Sequence, residues 1–215
     1  MCGVIGVKLK QELDEESFNN LTDLIYESRI RGMHAYGFSF LINNEIVISK
    51  TLSISKQIIR NILLEMKTDS LLFHSRYSTS GDFYNKENNQ PICVNGVALV
   101  FNGILSMKNK QIIEKDFNIT MATENDGEVF IRQCDDTPNK YIAFLKENYA
   151  CSFAGIILSK KSFFAIRNNK RPMYLYEDNK LTIVCSTLDI FLRSNFDIHN
   201  IRIINPYEVI NLNGI

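Results

Sequence analysis

The chain has 215 residues, 45% hydrophobic and 22% charged, and its 24 Lys and Arg balance 24 Asp and Glu to a formal net charge of zero. That length holds one sizeable core, and the composition is ordinary for a globular protein. Zero net charge removes any broad electrostatic pull toward nucleic acid or an anionic membrane, and no apolar run approaches the ~20 residues of a membrane span.

The hydrophobic pattern switches between periods of two and 3.6 along the chain. Residues 3–9 predict a buried strand. The apolar start meets Lys8 and Lys10 at once and has no basic leader, so it reads as that strand and not as a signal peptide. Asp14-Glu15-Glu16 opens a helix, with carboxylates at its positive end and Phe18, Leu21 and Ile25 on one face. Strands at 36–42 and 45–51 join across Asn43-Asn44, a good hairpin turn. A helix follows, with Ile54, Ile58, Ile62 and Met66 on its apolar stripe. Strands are predicted at 70–76 and 97–102, and helices near 106–115, 126–134 and 138–147. The remainder predicts strands at 151–158, 162–167, 173–176 and 181–185, a short helix at 187–193, and strands near 201–204 and 208–211.

Strands thus come in consecutive groups with helices between the groups. That is α+β with mostly antiparallel sheet, and two helix-covered sheets in a single domain, residues 1–215, fit the length. Cys2, Cys93, Cys134, Cys151 and Cys185 are odd in number, scattered and free of any C-x-x-C pattern, which points to reduced thiols in a cytoplasm-like compartment. His34, His74 and His199 show no zinc spacing.

Four segments carry potential chemistry, each with a plainer explanation beside it. Cys2 suits a strand needing a small buried residue. With Met1 removed it also joins a thiol to a free α-amine, whose pKa of ~7.7–8.0 fits a general base beside a nucleophile. Arg76, in His74-Ser75-Arg76-Tyr77-Ser78-Thr79-Ser80-Gly81 at a strand end, is either a surface residue or a fork for a carboxylate. Asn102-Gly103 is either a tight turn or a pair of oxyanion donors. Asp126 is either a helix N-cap or a partner for a substrate ammonium.

In this order the segments resemble the class II glutamine amidotransferases, members of the N-terminal nucleophile hydrolases. The matching stretches are Cys2-Gly3-Val4-Ile5-Gly6, Arg31-Gly32 with Gly37, His74-x-Arg76-Tyr77-Ser78-Thr79-x-Gly81, Asn89-Gln90-Pro91, Asn102-Gly103, Asp126-x-Glu128-Val129, and Ala165-Ile166-Arg167 with Arg171-Pro172. They run from residue 2 to about residue 211 and are most similar to the glutaminase half of amidophosphoribosyltransferase. The resemblance implies a four-layer α/β/β/α sandwich of antiparallel sheets. It also implies roles: Cys2 as nucleophile with its own amine as base, Asn102 and Gly103 as oxyanion donors, Arg76 for the α-carboxylate of glutamine and Asp126 for its α-ammonium. Arg31, Tyr77 and Thr79 would shape the pocket. No cofactor or metal is implied.

Two positions depart from the pattern: His34 stands where the family usually has Asp, and Phe101 where His commonly precedes Asn-Gly. No synthase domain is expected within these residues, so ammonia would pass to a synthase on a separate chain, with Phe83 and Tyr84 as candidate contacts. The alternatives are an N-terminal nucleophile hydrolase of another amide, or a silent glutamine-binding regulatory subunit.

Overall fold

The computed structural model describes residues 1–79 and 81–213. Its strands form two antiparallel sheets. The first contains β1 (Gly3–Leu9), β2 (Ala35–Ile42), β3 (Glu45–Thr51), β4 (Ser70–Arg76), β9 (Tyr174–Glu177), β10 (Leu181–Cys185) and β11 (Ile201–Ile203), in the order β11-β9-β10-β1-β4-β2-β3. The second contains β5 (Ile92–Val94), β6 (Val97–Ile104), β7 (Ser152–Ser159), β8 (Phe163–Arg167) and β12 (Ile210–Asn211), in the order β12-β8-β7-β6-β5. Asn43 and Asn44 both take positive φ, 52° and 65°, which is the two-residue turn that matches strand twist between β2 and β3.

Helices cover the outer face of each sheet. α1 (Glu15–Glu27), α2 (Lys56–Glu65) and α6 (Leu188–Leu192) pack on the first sheet through Leu21, Leu24, Ile25, Ile59, Leu63 and Phe191. α3 (Lys110–Phe117), α4 (Gly127–Cys134) and α5 (Pro138–Glu147) pack on the second around Phe130, Tyr141, Phe144 and Phe153. Between the sheets lies a third apolar layer built from Val4, Leu72, Val100, Ile156, Phe163 and Val184. This is the expected four-layer α/β/β/α sandwich. Among the described residues, no helix is long and apolar enough to cross a membrane.

The helix starts follow local chemistry. The side chains of Asp14, Ser55 and Asn109 accept the backbone N–H of Ser17, Ile58 and Ile112, each satisfying one orphan donor of a first turn. Three expectations need correction. Ile54, Ile62 and Met66 pack against the first core as expected, but the buried residues of α2 are Ile59 and Leu63 and Ile58 is exposed, because the first sheet selects the stripe a residue further round. α3 begins at Lys110 and not near residue 106, since Asn109 caps it. The three-residue β5 was not anticipated; it is too short for a periodic signal.

His74 is fully buried in β4, and an interaction with the Phe101 backbone only partly offsets that burial. Burial, reinforced by the charges of Arg76 and Lys50, holds its pKa down to about 3. The unfolded chain takes up this proton near pH 6.5, so acid favours unfolding through this residue from about pH 6.5 down to about pH 3. Lowering the pH from 6.5 to 4.5 should therefore cost on the order of 2 kcal/mol through His74 alone. His74→Leu should lose correspondingly less over that interval, measured by urea unfolding; an equal loss in both proteins would assign the acid sensitivity elsewhere.

Candidate active site

Strand alternation decides which side chains meet. On β1, Val4 and Gly6 face the inter-sheet layer while Ile5 and Val7 face the helices, so Cys2 continues the inner row. The same row runs Leu72, His74, Arg76 on β4 and Ala98, Val100, Asn102 on β6. The register pairs Gly3 with Ser75, which makes Cys2 and Arg76 the next pair along. One end of the apolar layer is therefore closed by polar residues from three strands.

The backbone N–H of Cys2 donates to Asn102 Oδ1 at 3.2 Å, from one sheet to the other. That bond fixes the amide orientation and leaves Asn102 Nδ2 buried with no partner. An unpaired buried donor costs about 1–3 kcal/mol, so it calls for an acceptor that arrives later. Asn102 and Gly103 lie within β6, opposite Ala154 and Phe153; the pair is strand interior and not a turn. A side chain at residue 103 would begin 2.0 Å from the Ser152 carbonyl oxygen, so the approach of β7 requires glycine.

The Cys2 thiol donates to the Tyr77 carbonyl at 3.6 Å. Burial pushes its pKa up, against the opposing pull of the N-terminal ammonium, Arg76 and Arg31. Arg76 is buried, with Nη1 donating to Asn89 Oδ1 and Nη2 to the Gly81 carbonyl at 3.2 Å. Asn89 also donates through Nδ2 to the Phe83 carbonyl at 2.8 Å. Asn88 ties the Asp82 carbonyl to Glu124, and Asn125 Nδ2 donates back to the Asn88 carbonyl at 3.0 Å. These asparagines were not singled out from sequence as holders of the arginine; Asn89-Gln90-Pro91 appeared only as a motif.

Asp126 occupies the cap position of α4 but does not cap it. Its Oδ2 accepts the N–H groups of Leu105 and Ser106 at 2.6 and 3.1 Å, beyond the end of β6. Burial raises its pKa, opposed by those two bonds, and its charge is felt by Arg76. Phe101 stands directly behind, buried against Phe130 and Phe153. Gly127 lies so close that a Cβ there would come within 2.2 Å of the Phe101 ring, so this ring sets how near the start of α4 comes to β6.

Arg31, at the end of the 3-10 turn Ser28–Arg31, donates through Nη2 to Met1 Sδ at 3.3 Å. Arg171 Nη1 meets the same sulfur at 3.4 Å, and both arginines keep a buried, unpartnered Nε. Met1 thus lies across two guanidinium groups next to Cys2, and nothing in the spacing of residues 31 and 171 announced that they would meet. Tyr77 brings its carbonyl to Cys2 while its ring is exposed and stacked on His34 at 5.1 Å. Thr79 is exposed and borders a cavity of about 350 Å³, also lined by Gly81, Met107, Lys108 and Glu124. Phe83 is half-buried, stacked between His34 and Tyr84, and Tyr84 is exposed.

The fold is that of class II glutamine amidotransferase domains. The chain superposes on glutamine phosphoribosylpyrophosphate amidotransferase from B. subtilis with a TM-score of 0.64 at 17% identity, covering 96% of this chain and 49% of that one. A structure described as the allosteric regulatory enzyme of purine biosynthesis gives 0.66 at 18% identity, with coverage of 98% and 48%. A glutamine aminotransferase class-II domain protein from Silicibacter pomeroyi gives 0.58 at 10% identity, with coverage of 95% and 92%. The chain spans about half the length of the first two. No family model and no curated protein matches the sequence.

Gly32 explains the Arg-Gly pairing in the sequence. A Cβ at this position would stand 2.2 Å from the Arg76 carbonyl carbon and 2.4 Å from the Tyr77 nitrogen. Gly32→Ala must push the end of β4 away and should lose about 1–3 kcal/mol of stability, the usual cost of overpacking. A urea midpoint equal to that of the parent protein would show that this strand end moves freely.

Proposed function

We propose that the chain is a glutaminase that releases ammonia from glutamine through Cys2. The observation that carries this reading is the divided Asn102 amide: its oxygen holds the Cys2 nitrogen, and its N–H donor end is buried without a partner.

With Met1 removed, the nitrogen beside Asn102 Oδ1 becomes an α-amine. It takes the thiol proton, and the thiolate attacks the carboxamide carbon of glutamine. The tetrahedral oxygen accepts from Asn102 Nδ2 and the Gly103 N–H. Collapse expels ammonia with the proton returned by the amine and leaves a γ-glutamyl thioester. Water then attacks that carbonyl, and the thiol leaves with its proton restored as glutamate is released. Arg76, oriented by Asn89 and Gly81, supplies positive charge for the α-carboxylate. Asp126 supplies the opposite charge for the α-ammonium, which also favours its ionised form against burial. Arg31, Tyr77 and Thr79 complete the surroundings of Cys2 and the substrate. The ammonia passes to a synthase on a separate chain, and the exposed Tyr84 beside Phe83 is our candidate contact.

Intact mass of active protein should show complete loss of Met1; full glutaminase activity with Met1 retained would sink the amine as base. Cys2→Ser should abolish nearly all turnover while glutamine binding survives, and the other four cysteines should be replaceable. If the parent protein binds glutamine without releasing ammonia, it is a regulatory subunit; if it cleaves only other amides, Arg76 and Asp126 have been misread.

Asn102→Ala should lower kcat by about 10²–10³, the usual effect of removing one oxyanion donor. Arg76→Lys should act mainly on KM, because an ammonium cannot reproduce the two-pronged grip of a guanidinium. A change in KM alone for Asn102→Ala would place that residue on the ground-state substrate.

A further inference from the structure

His34 sits just before β2 with its ring between two aromatics, Tyr77 at 5.1 Å and Phe83 at 5.0 Å, both nearly parallel to it at 28° and 20°. Its backbone N–H donates to the Arg76 carbonyl at 3.0 Å. Its Nδ1 accepts the backbone N–H of Ser78 at 2.9 Å. A nitrogen that accepts carries no proton, so the ring is neutral with its proton on Nε2.

The Ser78 N–H and the Tyr77 carbonyl belong to one peptide group. In a trans peptide the two point in opposite directions. His34 holds the N–H end, and the carbonyl end accepts the Cys2 thiol at 3.6 Å. The imidazole and the thiol therefore grip opposite edges of the same plane. The stacking on Tyr77 and Phe83 leaves the ring little freedom to turn away.

We propose that His34 is a positioning residue that orients the Tyr77–Ser78 peptide toward Cys2 through its unprotonated Nδ1, so that loss of this acceptor releases the peptide and loosens the thiol.

The effect on turnover rests on the glutaminase reading; the orientation of the peptide does not. The test therefore has two arms. In the first, hydrogen exchange at the Ser78 amide is followed at pH 7.5 in the full chain and in His34→Asp, His34→Asn and His34→Ala, each rate corrected to a protection factor. His34→Asp and His34→Asn keep an acceptor and should hold the parent protection, whereas His34→Ala should lose about tenfold, the worth of one hydrogen bond. Equal protection in all four proteins would overturn the proposal.

In the second arm, kcat for glutamine hydrolysis is measured for the same proteins. His34→Ala should fall by up to about tenfold, and His34→Asn, which restores the acceptor, should recover most of that loss. A parent-like kcat in His34→Ala would break the link from the peptide to the thiol. If the exchange pattern follows expectation but the parent protein hydrolyses no glutamine at any pH, the role of His34 stands and the glutaminase reading fails.

Discussion

One hydrogen bond joins the two sheets where the chemistry is proposed: the Cys2 N–H to the Asn102 side-chain oxygen. It is possible only because both strands present the same parity to the layer between them. Along most of its length that layer is Val, Leu, Ile and Phe, and it holds the sandwich together without direction. At one end the same rows continue into Cys2, Arg76 and Asn102, so the apolar packing that aligns the sheets also aligns the site. A slip of one residue in β1 or β6 would turn either side chain to the helix face and separate them.

Around this contact the molecule spends its polar groups on orientation. Asn89 and the Gly81 carbonyl hold Arg76, the Leu105 and Ser106 amides hold Asp126, and the Tyr77 carbonyl meets the thiol. Each is a backbone group or a short amide, which loses little conformational freedom on being fixed. Three buried donors without acceptors belong to residues around Met1 and Cys2: Asn102 Nδ2, Arg31 Nε and Arg171 Nε. A cluster of donors of one kind suits a ligand that brings anionic or carbonyl oxygen. The two positions that differ from the family pattern fit this scheme by packing. Phe101 sets the distance of α4 from β6, and His34 lies stacked against the segment that carries the Tyr77 carbonyl.

The sequence carried most strands and helices well, because periods of two and 3.6 report which faces are buried and Asn43-Asn44 has few uses other than a tight hairpin turn; the four-layer sandwich was what the resemblance to the amidotransferases implied. It carried the α2 stripe less well, since Ile58 and Ile59 are equally apolar and only the sheet beneath chooses between them. β5 was invisible because three residues make no period.

By itself the sequence determined the class of fold, the place of most long strands and helices, and Cys2, Arg76, Asn102, Gly103 and Asp126 as groups capable of nucleophilic and electrostatic work. Those properties are local: they depend on residue type and on spacing within one element. Only the tertiary structure decided that the Asn102 oxygen holds the Cys2 nitrogen while its Nδ2 is left without a partner, and that Asp126 turns from its helix to the end of β6. The same holds for Arg31 and Arg171, 140 positions apart, which converge on Met1. These are contacts between distant segments, set by sheet register and layer packing, and no local pattern encodes the direction in which a side chain meets a partner from another sheet.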